Sequence, residues 1–174
     1  MSEESPLAVK DTTRWLNEEE REGWLFISSI MFNLPGQLEH QLQKDSNLSF
    51  VEYMVLAMLS EAPQHKLTMT DLARHTNTLL PRLSRVVTRL EKDNFVERSI
   101  WAKDRRVSIC HLLPGGLAKV QEAAPGHVEA VRKIVFDQLN NRQIKSLAKI
   151  GESVLGNKPS EVITVRNVEL FDED

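Results

Sequence analysis

Apolar residues recur at helical spacing through most of the chain, and polar or Gly/Pro breaks divide them into separate elements. Trp24, Ile27, Met31, Leu34 and Leu38, with Ile30 and Leu42 beside them, lie on one side of a 3.6-residue repeat. Glu18, Glu19 and Glu20 precede them, where acids favour a helix start. Pro35-Gly36 interrupts the stripe and predicts a kink or break. Ser49-Phe50-Val51-Glu52 has the form of a capping box, with Leu48 and Tyr53 placed as a hydrophobic staple. The helix it opens is apolar nearly all round through Leu59, as a buried helix should be, and Glu61-Ala62-Pro63 ends it.

The next pattern is sharper. Thr68 or Thr70 can cap a short helix that turns Leu72 and Ala73 inward, and Thr76-Asn77-Thr78 makes a polar break of turn length. Leu79, Leu83, Val86, Val87 and Leu90 then define one face of a second helix, while Arg82, Arg85 and Arg89 recur at steps of three and four on another. Pro81 suits the first helical position and sets where this helix begins. Asp93-Asn94 stops it, because Asn tolerates the left-handed conformation. A strand at Phe95-Val96-Glu97-Arg98, a charged loop from Trp101 to Arg106 and a return strand from Val107 to Leu112 predict a two-stranded hairpin with a basic tip.

Beyond the hairpin, Pro114-Gly115-Gly116 reads as a hinge-like break. Leu117, Val120, Val128, Val131, Val135 and Leu139 mark a long helix that Pro125-Gly126 should kink or divide. Asn140 or Asn141 caps a last helix with Ile144, Leu147, Ile150 and Val154 on one face, stopped by Gly156 and Pro159. The expected fold class is mainly α with a small β-hairpin wing: a winged helix-turn-helix carrying N- and C-terminal dimerisation helices. The expected division is an N-terminal dimerisation region over 14–44, a winged helix-turn-helix domain over 45–113, C-terminal dimerisation helices over 114–156 and an acidic tail over 157–174.

Composition changes little in this picture, but charge does. Hydrophobic residues at 41% and charged residues at 27% are ordinary for a globular chain. No apolar run approaches membrane-spanning length, the N-terminus lacks the apolar core of a signal peptide, and one cysteine makes no internal disulfide, so a cytoplasmic location is expected. The formal net charge is −3. Between Arg82 and Arg106, however, eight basic residues stand against four acidic ones, whereas Met1 to Ile30 holds seven acids against three bases. A basic patch on an acidic chain is the footprint of a docking surface. The arginine row spans roughly 10 Å, and a major groove about 12 Å wide admits a helix. Three arginines taken alone are more often a solvated face; the order of elements around them shifts the reading to duplex DNA.

Several motifs together resemble the multiple-antibiotic-resistance regulator (MarR) family of bacterial repressors. They are Leu67-Thr68-x-Thr70-x-Leu72-Ala73, Ser84-Arg85-x-Val87-x-Arg89-Leu90-Glu91, Asp104-Arg105-Arg106, and Leu112 before Gly116. The likeness runs from about Arg14 to Gly156, and Ala123 to Val128 is similar to an actinobacterial subgroup. The resemblance implies a triangular homodimer on double-stranded DNA with a palindromic operator, the recognition helix in the major groove and the wing tip in the adjacent minor groove. By position it assigns Arg82, Ser84, Arg85 and Arg89 to the helix contacts and Lys103, Arg105 and Arg106 to the wing, with Asp104 bracing a neighbouring arginine. It also implies a small phenolic effector that relieves DNA binding, with Trp24, Tyr53 and His127 nominated to line its pocket. Asn94 departs from the usual Gly, and Leu113-Pro114-Gly115 from the usual Thr-led helix start.

Two other readings stay open at this level. A winged-helix module can bind protein rather than DNA, and Cys110 beside His111 could be a redox switch, although Cys110 shares strand parity with Leu112 and so should be buried. An enzyme is not expected: there is no phosphate loop, and none of the five histidines forms an i, i+4 pair. No cofactor or metal is expected.

Overall fold

The computed structural model describes residues 13–102 and 104–156. They form α1 (Glu18–Ser46), α2 (Phe50–Glu61), β1 (Lys66–Thr68), α3 (Met69–His75), α4 (Leu80–Lys92), β2 (Val96–Ile100), β3 (Ser108–Leu112), α5 (Pro114–Ile134) and α6 (Asn141–Leu155). Single 3₁₀ turns cover Pro63–His65 and Phe136–Gln138. The chain divides into two compact units between Pro35 and Gly36.

In the first unit, Asn17 and Glu20 cap the start of α1 reciprocally, each side chain accepting the other's backbone N–H at 2.9 and 2.8 Å. Trp15, Leu16, Trp24, Leu25, Phe26, Ile27, Ile30, Met31 and Phe32 are all exposed. The expected break at Pro35-Gly36 does not end the helix, since α1 runs on through Pro35. A proline forfeits one backbone bond and crowds the preceding turn, which a long helix can absorb by bending.

The second unit contains the core. Ser49 and Glu52 make the expected capping box, and Leu48 and Tyr53 are both buried. Val55, Leu56 and Leu59 of α2 pack in one cluster with Leu72 of α3, Leu83, Val87 and Leu90 of α4, Val96 and Cys110 of the sheet, and Val120 and Ala123 of α5. Burying a Val or Leu side chain contributes about 1.5–3 kcal/mol, so this cluster is the principal reason the short helices hold. Thr68 caps α3 through its side chain, and Asn77 and Asn94 adopt positive φ at the two turns flanking α4. Pro81 occupies the second helical position rather than the first, because Leu80 opens α4.

Two expectations need correction. The expected hairpin is present as β2 and β3, but the sheet adds a third strand that was not expected, in the order β1-β3-β2: Leu67 pairs with Cys110, and Arg98 pairs with Cys110 from the other side. Three residues are too few to show an alternation, so β1 left no periodic signal. Nor is Pro114-Gly115-Gly116 a hinge. Pro114 starts α5, and the amide of Leu113 donates to the Phe95 carbonyl at 2.9 Å. That contact brings helix and turn so close that a Cβ on Gly116 would meet the Phe95 oxygen at 2.2 Å. The glycine is there for close approach, not for flexibility. α5 also continues unbroken through Pro125, anchored on the core by Val120 and Ala123. Asn140 caps α6 by a second reciprocal box, and Gly156 ends it in the left-handed conformation. The expected tail lies outside the described residues.

Candidate nucleic-acid interface

α4 buries Leu83, Val87 and Leu90 and turns Arg82, Arg85 and Arg89 outward. The three arginines are not equivalent. Arg82 makes no ion pair among the described residues, and Arg85 only touches the Pro81 carbonyl through Nε at 3.4 Å. Arg89 donates through Nε to Glu52 Oε1 at 3.1 Å. The Glu52 side chain is 4% exposed, and its other oxygen accepts the Ser49 amide at 2.7 Å. A carboxylate that deep needs a cation, so Arg89 joins the recognition helix to the start of α2. Its side chain is still 55% exposed, leaving the outer edge of the guanidinium open.

Sequence reasoning missed Arg98. From β2 it reaches back over α4, donating through Nε to both Glu91 oxygens at 3.1 Å and through Nη2 to Glu91 Oε2 at 2.5 Å. Nη2 also meets Thr88 Oγ1 at 2.9 Å, and Nη1 meets Ser84 Oγ at 3.2 Å. The Arg98 backbone N–H adds a bond to Glu91 Oε1 at 3.1 Å. The hydrogen bond to Glu91 raises the Arg98 pKa further. The only hint in the sequence was an acid near the end of one element and a base early in the next.

At the wing, Asp104 accepts the Arg106 backbone amide and Nε at 3.0 Å and Nη2 at 2.9 Å. These bonds hold the Asp104 carboxyl below its ordinary range. The Arg106 side chain is nonetheless 90% exposed, an oriented cation at the tip. Arg105 is exposed and Lys103 lies outside the described residues. Of the eight basic residues counted here, Arg89, Arg98 and Arg106 are thus paired internally with Glu52, Glu91 and Asp104.

Among the nominated effector residues, Tyr53 and His127 meet with ring centroids 4.3 Å apart, and Phe50 lies 6.2 Å from His127. Burial lowers the His127 pKa and raises that of Tyr53. His127 Nδ1 is buried without a partner among the described residues. Trp24 is exposed on the first unit. A cleft of about 350 Å³ opens elsewhere, between Ser46, Leu48, Glu52, Arg89, Phe95 and Lys119, and none of the three nominees lines it. Cys110 is fully buried, and desolvation, aided by the charge of Glu91, pushes its pKa up to about 12. Burial disfavours the thiolate that a redox switch needs and argues against that reading.

A core built on α2, α3, α4, α5 and the sheet, an outward basic face on α4 and a braced wing define a winged helix-turn-helix fold. The MarR family model matches residues 48–108. The chain is 39% identical to Sco3205, a MarR family transcriptional regulator from Streptomyces coelicolor whose crystal structure is in complex with DNA, with a TM-score of 0.78 over 86% of this chain and 94% of that one. It is 33% identical to AbsC, another MarR family regulator from the same organism, with a TM-score of 0.76 over 83% of this chain and 97% of that one. It is 26% identical to the HTH-type transcriptional repressor YetL of Bacillus subtilis over 74% of this chain and 79% of that protein. The chain belongs to the MarR family of transcriptional regulators.

Proposed function

We propose that this protein is a cytoplasmic homodimer that binds a palindromic operator, most simply as a repressor, and releases it when a small phenolic effector binds. The observation that carries the reading is the placement of Arg82 and Arg85, exposed and without ion pairs among the described residues, opposite the buried Leu83 and Val87 on one helix. Phosphate neutralisation with counterion release supplies affinity, and side chains in the first half of α4 read base edges. Arg105 and the Asp104-oriented Arg106 suit the narrower groove beside it.

Dimerisation is supported by α6, which has no buried residue and exposes Leu147, Ile150, Val154 and Leu155, and by the exposed apolar residues of 13–35. Two-fold symmetry would set two recognition helices about 34 Å apart, one turn of duplex. The effector reading is supported by the unpartnered His127 Nδ1 beside the Tyr53 ring, a place where a phenol could donate and stack. A gel shift with the promoter adjoining the protein's own gene tests DNA binding, and titration of that complex with phenolic acids tests release. Absence of a shift at low salt would remove the operator reading; a complex insensitive to every phenol would remove the effector.

A further inference from the structure

We propose that Glu52 is a positioning residue that holds Arg89 ready for a backbone phosphate of DNA. This inference rests on the DNA-binding reading above. Arg89 follows Arg82 by about two turns of α4 and so shares its side of the helix. The two side chains differ in freedom. Arg82 is exposed and makes no ion pair among the described residues, so only a ligand can order it. Arg89 Nε lies 3.1 Å from Glu52 Oε1, so its side chain is ordered in advance.

The anchor is itself fixed. The Glu52 side chain is 4% exposed, and its second oxygen accepts the Ser49 amide at 2.7 Å. The Glu52 amide donates to Ser49 Oγ at 3.2 Å, and Glu39 of α1 accepts the Phe50 amide at 2.6 Å. A carboxylate held from both ends does not follow the guanidinium; the guanidinium comes to it. Because Nε faces Glu52, Nη1 and Nη2 keep no hydrogen-bond partner among the described residues, and the side chain is still 55% exposed. One edge of the planar fork can therefore serve the carboxylate while the other serves a phosphate. Ordering a long side chain at the moment of binding costs roughly a factor of five in affinity, and the Glu52 pair removes that cost.

The sign of the effect separates positioning from plain charge. An acid near DNA repels phosphate, so neutralising it tightens binding. Neutralising an acid that orients a phosphate-binding arginine weakens it. Asp93 supplies the control, since it is exposed and lines the same cleft as Glu52 and Arg89.

The test is an anisotropy titration of the full chain with a random-sequence duplex at low salt, because a phosphate contact carries no sequence information. Each variant is measured below its own melting transition. Glu52→Gln, which keeps an oxygen for the Ser49 amide, should weaken binding about fivefold. Asp93→Asn removes the same charge and should tighten binding slightly. Arg89→Gln should lower the salt-dependence slope by about one, and adding Glu52→Gln to it should cost nothing more. Arg89→Lys keeps the charge but has one head for two partners, so it should lose about as much as Glu52→Gln. Unchanged or tighter binding by Glu52→Gln overturns the proposal, as does wild-type affinity in Arg89→Lys. A Glu52→Gln loss of the same factor with and without Arg89 also overturns it. A wild-type protein that binds no duplex, random or genomic, overturns the DNA-binding reading and takes this inference with it.

Discussion

α4 and α6 are both strongly amphipathic, yet the chain treats them oppositely. In α4 the apolar stripe is covered by the protein's own core, with Leu83, Val87 and Leu90 at 1% exposure or less. In α6 the stripe of Leu147, Ile150 and Val154 faces out, and no residue of the helix is buried. Apolar periodicity declares that a face wants cover without saying who provides it. α4 is finished by one chain, so its basic side is available to a ligand. Among the described residues nothing covers the apolar face of α6, and the proposed dimer would cover it.

The sharpest way to break this contrast is to charge α6. Leu147→Glu with Ile150→Glu should convert the dimer to monomer by light scattering and reduce operator affinity about a hundredfold or more, since two linked half-sites become one. A charged α6 that remains dimeric would show that its open face is not the interface. Next in size, Leu83→Ala should cost about 3 kcal/mol of stability by denaturant titration, because it leaves a cavity under the recognition helix. The equivalent truncation Val154→Ala in α6, where the side chain is 74% exposed, should scarcely change unfolding of the monomeric variant. Smaller again, Arg85→Ala should weaken DNA binding about tenfold and lower the salt-dependence slope by about one. Arg89→Ala should also destabilise the fold, by stranding the buried Glu52 carboxylate. Equal stability of these two variants would mean the Glu52 pair anchors nothing.

A further measurement concerns pH. His127 and His75 both have pKa values lowered by burial from an ordinary 6.5. The unfolded chain therefore takes up protons first as pH falls, and the stability of the neutral rings, fully present above about 6.5, is lost on acidification through the folded values. His127→Phe should flatten the fall in melting temperature between pH 7 and pH 5, and an unchanged slope would exclude His127 as a contributor. The least effect of all is expected from peroxide, which should leave DNA binding by the wild-type protein untouched because the Cys110 thiol is buried and protonated.

Much of the architecture was legible because its signals are local. The Ser49–Glu52 box, the Asn140 cap, the Asn94 stop and the α4 stripe depend on residues a few positions apart, and all four are found in the structure, except that Leu79, expected in the stripe, precedes the helix and is exposed. The misses share a different cause. β1 exists because Leu67 finds Cys110 across the sheet, and α5 begins at Pro114 because Leu113 bonds the Phe95 carbonyl. These are pairings between distant segments, invisible to periodicity. At the prolines 35 and 125 a local rule allowed a kink or a break, and the break is excluded because both helices continue.

The same division runs through the interface. By itself the sequence determined that arginines lie along one side of a helix whose other side is apolar, since both follow from 3.6 residues per turn. Only the tertiary structure decided how each charge is used. Arg89 is drawn to Glu52, Arg98 to Glu91 and Arg106 to Asp104, while Arg82 and Arg85 make no ion pair among the described residues. A formal charge is a property of one residue, but its availability depends on the nearest opposite charge in space, and for Arg89 and Arg98 only folding brings that carboxylate close.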